Sequence, residues 1–218
     1  DRRFLYAPGS PLGGFATIDI FAINADRTLA NVVNATTSAY ALGPGITPDG
    51  RFLYVCGGTG GGNQTFGFSI DAATGLLSPV PGFTFQTGGT SPKQAVASPD
   101  SRFLYVGHGS DGTLRAMAIN QGTGDLALAP PSAPWLFDVG IQGSLGEVAT
   151  ARIGELDLIF FTDAVTFDGT PTGLISGIIN TDGSVTIVST RVSSNGVSPY
   201  DLVVWAGGGP RCPADLDV

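Results

Sequence analysis

Apolar and polar residues alternate along this chain in short blocks, each bounded by Gly, Pro, Asn or Asp. A period of two bounded by turn residues is the signature of half-buried strands. It predicts strands near 15–23, 52–56, 65–70, 94–97, 103–107, 113–119, 147–151, 158–162, 173–179 and 185–189. No window keeps a 3.6-residue apolar period without a Gly or Pro interruption, so no long helix is expected.

The blocks repeat. Arg3-Phe4-Leu5-Tyr6 recurs at Arg51-Phe52-Leu53-Tyr54 and Arg102-Phe103-Leu104-Tyr105, with steps of 48 residues (51 − 3) and 51 residues (102 − 51). A degenerate fourth copy is Leu158-Ile159-Phe160-Phe161, preceded by Glu155-Leu156-Asp157. Thr47-Pro48-Asp49-Gly50 and Ser98-Pro99-Asp100-Ser101 stand before the aromatic run. Pro presets φ for the first corner of a type I turn and Asp bonds its own downstream backbone, so each is a tight hairpin turn. A second turn follows an Ile-ended strand at Ile23-Asn24, Ile70-Asp71, Ile119-Asn120 and Ile179-Asn180.

One unit is therefore four strands: a, turn, b (Phe-Leu-Tyr), c, turn, d. Four antiparallel strands recurring at about 50 residues predict a β-propeller. A β-helix repeats faster, and a sandwich has no reason to repeat its turn sequences. The expected fold is all-β, four four-stranded antiparallel blades with repeats starting near 3, 51, 102 and 157 and a last strand at 199–205. Phe52, Tyr54, Phe103 and Tyr105 are expected in the cores between blades. Blades fill residues 1–206, and 207–218 read as linker plus the start of another module. Strand b stands first, at Phe4, and a lone strand a stands last, so either the two pair in a small closed ring or the chain is an open arc cut from a larger one. The open arc is the expectation.

With Pro-Asp-Gly-Arg-Phe-Leu-Tyr-Val and Ile-Asp-x-x-Thr-Gly-x-Leu in place, residues 1 to about 206 resemble the lactonase-type seven-bladed propellers and the related Tyr-Val-Thr-Asn repeat proteins. The resemblance rests on turn and core residues, which specify fold rather than activity. It implies a Pro-His pair early in strand a facing the central channel; the matching positions are Pro92-Lys93 and Pro199-Tyr200. Without that His, turnover of sugar-acid lactones is not expected, while Lys93 retains a charge suited to an anionic ligand. The tail, Cys212-Pro213-Ala214-Asp215-Leu216-Asp217, resembles the start of a dockerin-type calcium repeat. That likeness implies Asp215 and Asp217 as cation ligands, with the later ligands of the loop missing.

Charge narrows the partners. The formal net charge is −8 and Lys93 is the only lysine. Scattered arginines make no basic patch, so a nucleic-acid partner is not expected. No apolar run is long enough for a membrane-spanning helix. Cys56 and Cys212 read as two unpaired thiols. The acidic, lysine-poor, Gly/Thr/Ser-rich composition fits a secreted or cell-surface protein.

Catalytic or binding side chains on a propeller gather in the loops at one mouth of the channel. The b–c connections supply His108, the one histidine, with Asp111 nearby as a possible general-base pair. The plainer reading is a solvated loop histidine. Arg115 opens strand c and Asp163 flanks the fourth b–c loop, with Asp168 further along. Lys93, His108, Asp111, Arg115, Asp163 and Tyr200 form the candidate ligand set, for a small molecule or a protein at the channel mouth. Glu147 and Glu155, the only glutamates, have no spacing that pairs them for glycosidase work. Gly57–Gly62 lacks the Lys-Ser/Thr of a phosphate loop, and no cofactor is expected. Asn34-Ala35-Thr36 and Asn63-Gln64-Thr65 match the glycosylation acceptor pattern. Three readings follow: a non-catalytic scaffold or binding domain, which is preferred; a lactonase-like hydrolase or isomerase; and a structural surface-layer repeat.

Overall fold

Each Pro-Asp turn folds as its sequence dictates. The Asp49 carboxylate accepts bonds from the Thr47 hydroxyl (2.6 Å), the Arg51 N–H (3.1 Å) and Arg51 Nε (2.8 Å). Asp100 repeats the set with Ser98 (2.6 Å) and Arg102 (3.1 and 2.6 Å). Around these turns, a computed structural model describes residues 3–9, 17–36, 41–57, 63–129, 143–166 and 173–193, with backbone alone at 33–36, 143–144, 163–166 and 190–193.

The described chain is all β. Blade 1 has the sheet order β1 (Phe4–Gly9), β2 (Thr17–Ile23), β3 (Leu29–Thr36). Blade 2 follows with β4 (Leu42–Ile46), β5 (Phe52–Cys56), β6 (Gln64–Ile70) and β7 (Leu77–Gln86). Blade 3 is β8 (Pro92–Ala97), β9 (Phe103–His108), β10 (Leu114–Ile119) and β11 (Leu126–Leu128). Blade 4 is β12 (Gly143–Ile153), β13 (Leu156–Thr166), β14 (Gly173–Ile179) and β15 (Val185–Ser193). All pairs are antiparallel between sequence neighbours, as a blade requires. Every strand expected within the described residues appears, several with longer bounds. The expected last strand at 199–205, and with it the choice between closed ring and open arc, lies outside the described residues. So does the 207–218 segment.

The core lies between blades. Tyr6, Ile18 and Ile20 of blade 1 pack on Leu53, Val55, Phe66 and Phe68 of blade 2. Phe52 and Tyr54 face Leu104, Val106 and Met117 of blade 3. Phe103 and Tyr105 face Ile159, Phe161 and Ile175 of blade 4. Successive residues of strand b thus feed opposite interfaces, so both faces are buried and the Phe-Leu-Tyr-Val run is uninterruptedly apolar.

A repeated latch joins the blades. The Tyr6 hydroxyl donates to the Gly75 carbonyl (2.9 Å), Tyr54 to Gly124 (2.7 Å) and Tyr105 to Gly183 (2.8 Å). Each acceptor lies in the c–d turn of the next blade. Phe4, Phe52 and Phe103 press against the same glycines, where an added Cβ would lie 2.5 Å from the ring. Arg3, Arg51 and Arg102 stack over those phenylalanines at 5.6, 5.2 and 5.3 Å from the ring centre. Their guanidinium groups reach the same turns, at Ala72, Gln121 and Thr181. The Arg-Phe-x-Tyr motif is a structural clamp, and Phe52, Tyr54, Phe103 and Tyr105 occupy the inter-blade core as expected.

Candidate functional site

Four of the candidate residues meet around one loop. Residues 87–91 connect β7 of blade 2 to β8 of blade 3, beside the end of β9 and the 109–113 turn. The turn is closed by Asp111, whose Oδ1 accepts the Thr113 N–H (3.2 Å) and hydroxyl (2.8 Å). Its Oδ2 accepts the Thr90 N–H (2.6 Å), which ties turn to loop. Asn63, from blade 2, holds the loop from the other side. Its carbonyl accepts the Thr87 N–H (3.1 Å) and its side-chain oxygen accepts the Ser91 N–H (3.0 Å). That side chain is therefore engaged in the fold, and Asn63 adopts φ +61°, a conformation Asn tolerates.

His108 is fully buried at the end of β9, under the loop. This corrects the expectation of a solvated loop histidine: Gly89 brings the loop down onto the ring, where an added Cβ would lie 2.4 Å away. Nε2 is 2.8 Å from the Thr87 hydroxyl, and Nδ1 is 3.1 Å from both the carbonyl and the hydroxyl of Thr113. Nδ1 donates to the Thr113 carbonyl, since the Thr113 hydroxyl donates to Asp111; the Thr87 hydroxyl donates to the Asn63 carbonyl (2.8 Å), and its oxygen lies against Nε2. Burial pushes the imidazole below its ordinary value, outweighing the Thr113 bond and the Asp111 charge that raise it. Burial would raise the Asp111 carboxyl, but bonds from Thr113 and Thr90 hold it below the usual range.

Two cations flank the loop. Arg115 is partly buried; its Nε donates to the Thr87 carbonyl (2.6 Å) and its guanidinium lies on Gly88. Burial lowers its pKa. The partly buried Lys93 side chain lies along Gly109, immediately after His108. Lys93, His108, Asp111 and Arg115 are thus brought together, and Thr87, Thr113 and Asn63 are the partners that sequence reasoning missed. The positive-φ Asn63 and the Gly88-Gly89 pair carry no distinctive local signature of that role. Asp163 pairs Leu145 as His108 pairs Pro92, giving it the equivalent position in blade 4; its side chain lies outside the described residues. Tyr200, Asp168, Asp215 and Asp217 lie outside them too.

Among the described residues, the remaining thiol is closed. Cys56 is buried and free, its thiol pushed up to about 12, chiefly by burial, with the Glu147 charge adding to it. Cys212 lies outside the described residues. A groove of about 440 Å³ lies between blades 3 and 4, lined by Asp100, Arg102, Arg152, Asp157, Asn180 and Thr181. It opens near the start of β9, the opposite end from His108.

The model of the lactonase seven-bladed β-propeller family matches residues 28–134, which take in blades 2 and 3 and this loop. No curated protein sequence matches the chain. In fold, it is similar to the periplasmic gluconolactonase of Pseudomonas aeruginosa, with 19% identity and a TM-score of 0.65 over 91% of this chain and 56% of that one. A putative 6-phosphogluconolactonase from Bacteroides fragilis gives 16% and 0.63 over 90% and 59%. One from Bacteroides uniformis gives 14% and 0.67 over 93% and 58%. The chain spans under three fifths of the length of each of these structures. Blade topology and shared architecture agree that this chain has a β-propeller fold, similar over residues 28–134 to the lactonase propellers.

Proposed function

We propose that this chain is a non-catalytic propeller module of a secreted or cell-surface protein, binding an anionic small molecule beside the 87–93 loop. The observation that carries the reading is His108. It is fully buried with both ring nitrogens in hydrogen-bond contact inside the protein, so no proton acceptor stands open to a substrate. What the loop offers instead is positive charge from Lys93 and Arg115 in a chain of net charge −8. Carboxylate or phosphate is the group that such charge recognises.

The test is calorimetric titration with gluconate and 6-phosphogluconate. Binding of either, weakened about tenfold by Arg115→Ala or Lys93→Ala, is the expected result, the scale of one charge-assisted bond. Absence of binding by both anions overturns it.

A second reading, a lactonase-like hydrolase, draws support from the lactonase family match and from neighbours named as gluconolactonases. Against it stand Lys93 in place of the family's channel-facing His and the closure of His108. Hydrolysis of δ-gluconolactone above background, abolished by His108→Ala, would establish that reading.

A further inference from the structure

We propose, resting on the anion-binding reading above, that Arg115 and the exposed Gly88 N–H form a seat for a carboxylate, the group by which the ligand is held. Arg115 stands where other blades are apolar. Val106 pairs Arg115 in blade 3 as Val55 pairs Phe66 in blade 2 and Phe161 pairs Ile175 in blade 4. Phe66 and Ile175 are 0% and 1% exposed, and each belongs to the core shared with the preceding blade. At the same place between blades 2 and 3, the chain puts a cation.

That cation has no counter-charge. Its Nε donates to the Thr87 carbonyl (2.6 Å) and, among the described residues, no carboxylate pairs with its terminal nitrogens. Asp111 is the acid on the adjoining turn, and both its oxygens already accept bonds, from Thr113 and Thr90. The guanidinium is partly buried, and burial lowers its pKa with no carboxylate among the described residues opposing the effect. A guanidinium keeps its proton, so taking it out of water unpaired costs free energy that a bound anion offsets.

The loop is shaped around the free edge of the arginine. A Cβ on Gly88 would lie 2.2 Å from Nη2, and Gly88 holds φ +75°. A side chain there would strain the backbone and displace the guanidinium, so glycine leaves the edge uncovered. Gly88 is exposed, and its N–H makes no hydrogen bond among the described residues. The two terminal nitrogens and this N–H are donors beside a single positive charge. Fork and charge match a planar carboxylate, whereas a phosphate, with about two negative charges, calls for a second cation. The loop's other cation, Lys93, packs along Gly109 instead.

An NMR titration of the labelled chain with sodium acetate tests the seat, read at the Arg115 Nε–H and Gly88 N–H and compared with sodium phosphate at equal ionic strength. The expected result is a saturable shift of both signals, with acetate bound about threefold more tightly than phosphate or better. Arg115→Lys keeps the charge and loses the fork; it should weaken acetate binding about tenfold, while unmoved His108 ring signals show that the loop is still folded. Absence of a saturable acetate shift overturns the proposal. So does phosphate binding as tightly as acetate, or indifference to Arg115→Lys. The anion-binding reading fails separately, when neither gluconate nor 6-phosphogluconate binds. A chain that binds either of them with the Arg115 and Gly88 signals unmoved refutes the seat and leaves that reading standing.

Discussion

Phe52 and Gly124 lie in van der Waals contact across the boundary of blades 2 and 3, so close that a Cβ on the glycine would be 2.5 Å from the ring. The glycine also holds φ +76°. Gly50 has nearly the same φ, +75°, but open space around it. The pair separates backbone strain from steric conflict. Gly50→Ala should cost about 1 kcal/mol, the left-handed penalty alone. Gly124→Ala should cost about 2–4 kcal/mol, because an inter-blade core must open as well. Urea unfolding of both variants measures the difference.

Removing the Tyr105 hydroxyl isolates the latch. Tyr105→Phe keeps the ring packing and leaves the Gly183 carbonyl without its donor. The expected loss is about 1 kcal/mol, or roughly 2–4 °C in melting temperature for a chain of this size. Equal losses for Tyr54→Phe would show that the latch is one device used repeatedly.

His108 makes stability depend on pH. Its folded pKa lies below the ordinary 6.5, so below that value the unfolded chain binds the proton more readily. The contribution is fully present above pH 6.5 and is lost as pH falls toward the folded value. Denaturation curves should show stability declining in that window, and His108→Gln should flatten the decline. An NMR titration that puts the imidazole pKa above 6.5 would contradict the assignment.

Cys56 should be inert while the chain is folded. Its thiol is buried and pushed up to about 12, so almost no thiolate forms at neutral pH. In a Cys212→Ser background, a disulfide reagent should label Cys56 only after denaturant is added. Labelling at the rate of a free thiol in native buffer would show that the blade 2–3 core is open.

The candidate site was legible in its residue types and not in its state. Lys93, His108, Asp111 and Arg115 fall within one hairpin and its lead-in, so their proximity follows from local strand pairing. The burial of His108 depends on Thr87, Gly89 and Asn63 arriving from blade 2, and no residue near His108 in sequence announces that. The same limit applies to Arg115, whose bond to the Thr87 carbonyl spans two blades.

The fold itself was written locally. Period-two alternation, Pro-Asp turns and the Arg-Phe-Leu-Tyr repeat each act within a few residues, so strands, blades and their order could be read from the sequence alone. What only the tertiary structure decided is the work of the repeated residues once blades meet. The arginine, phenylalanine and tyrosine of one blade clamp a turn about seventy or eighty residues further on, as Tyr54 does at Gly124 and Tyr105 at Gly183. Contacts at that distance depend on how sheets stack, and stacking is set by the summed packing of whole blades rather than by any local preference.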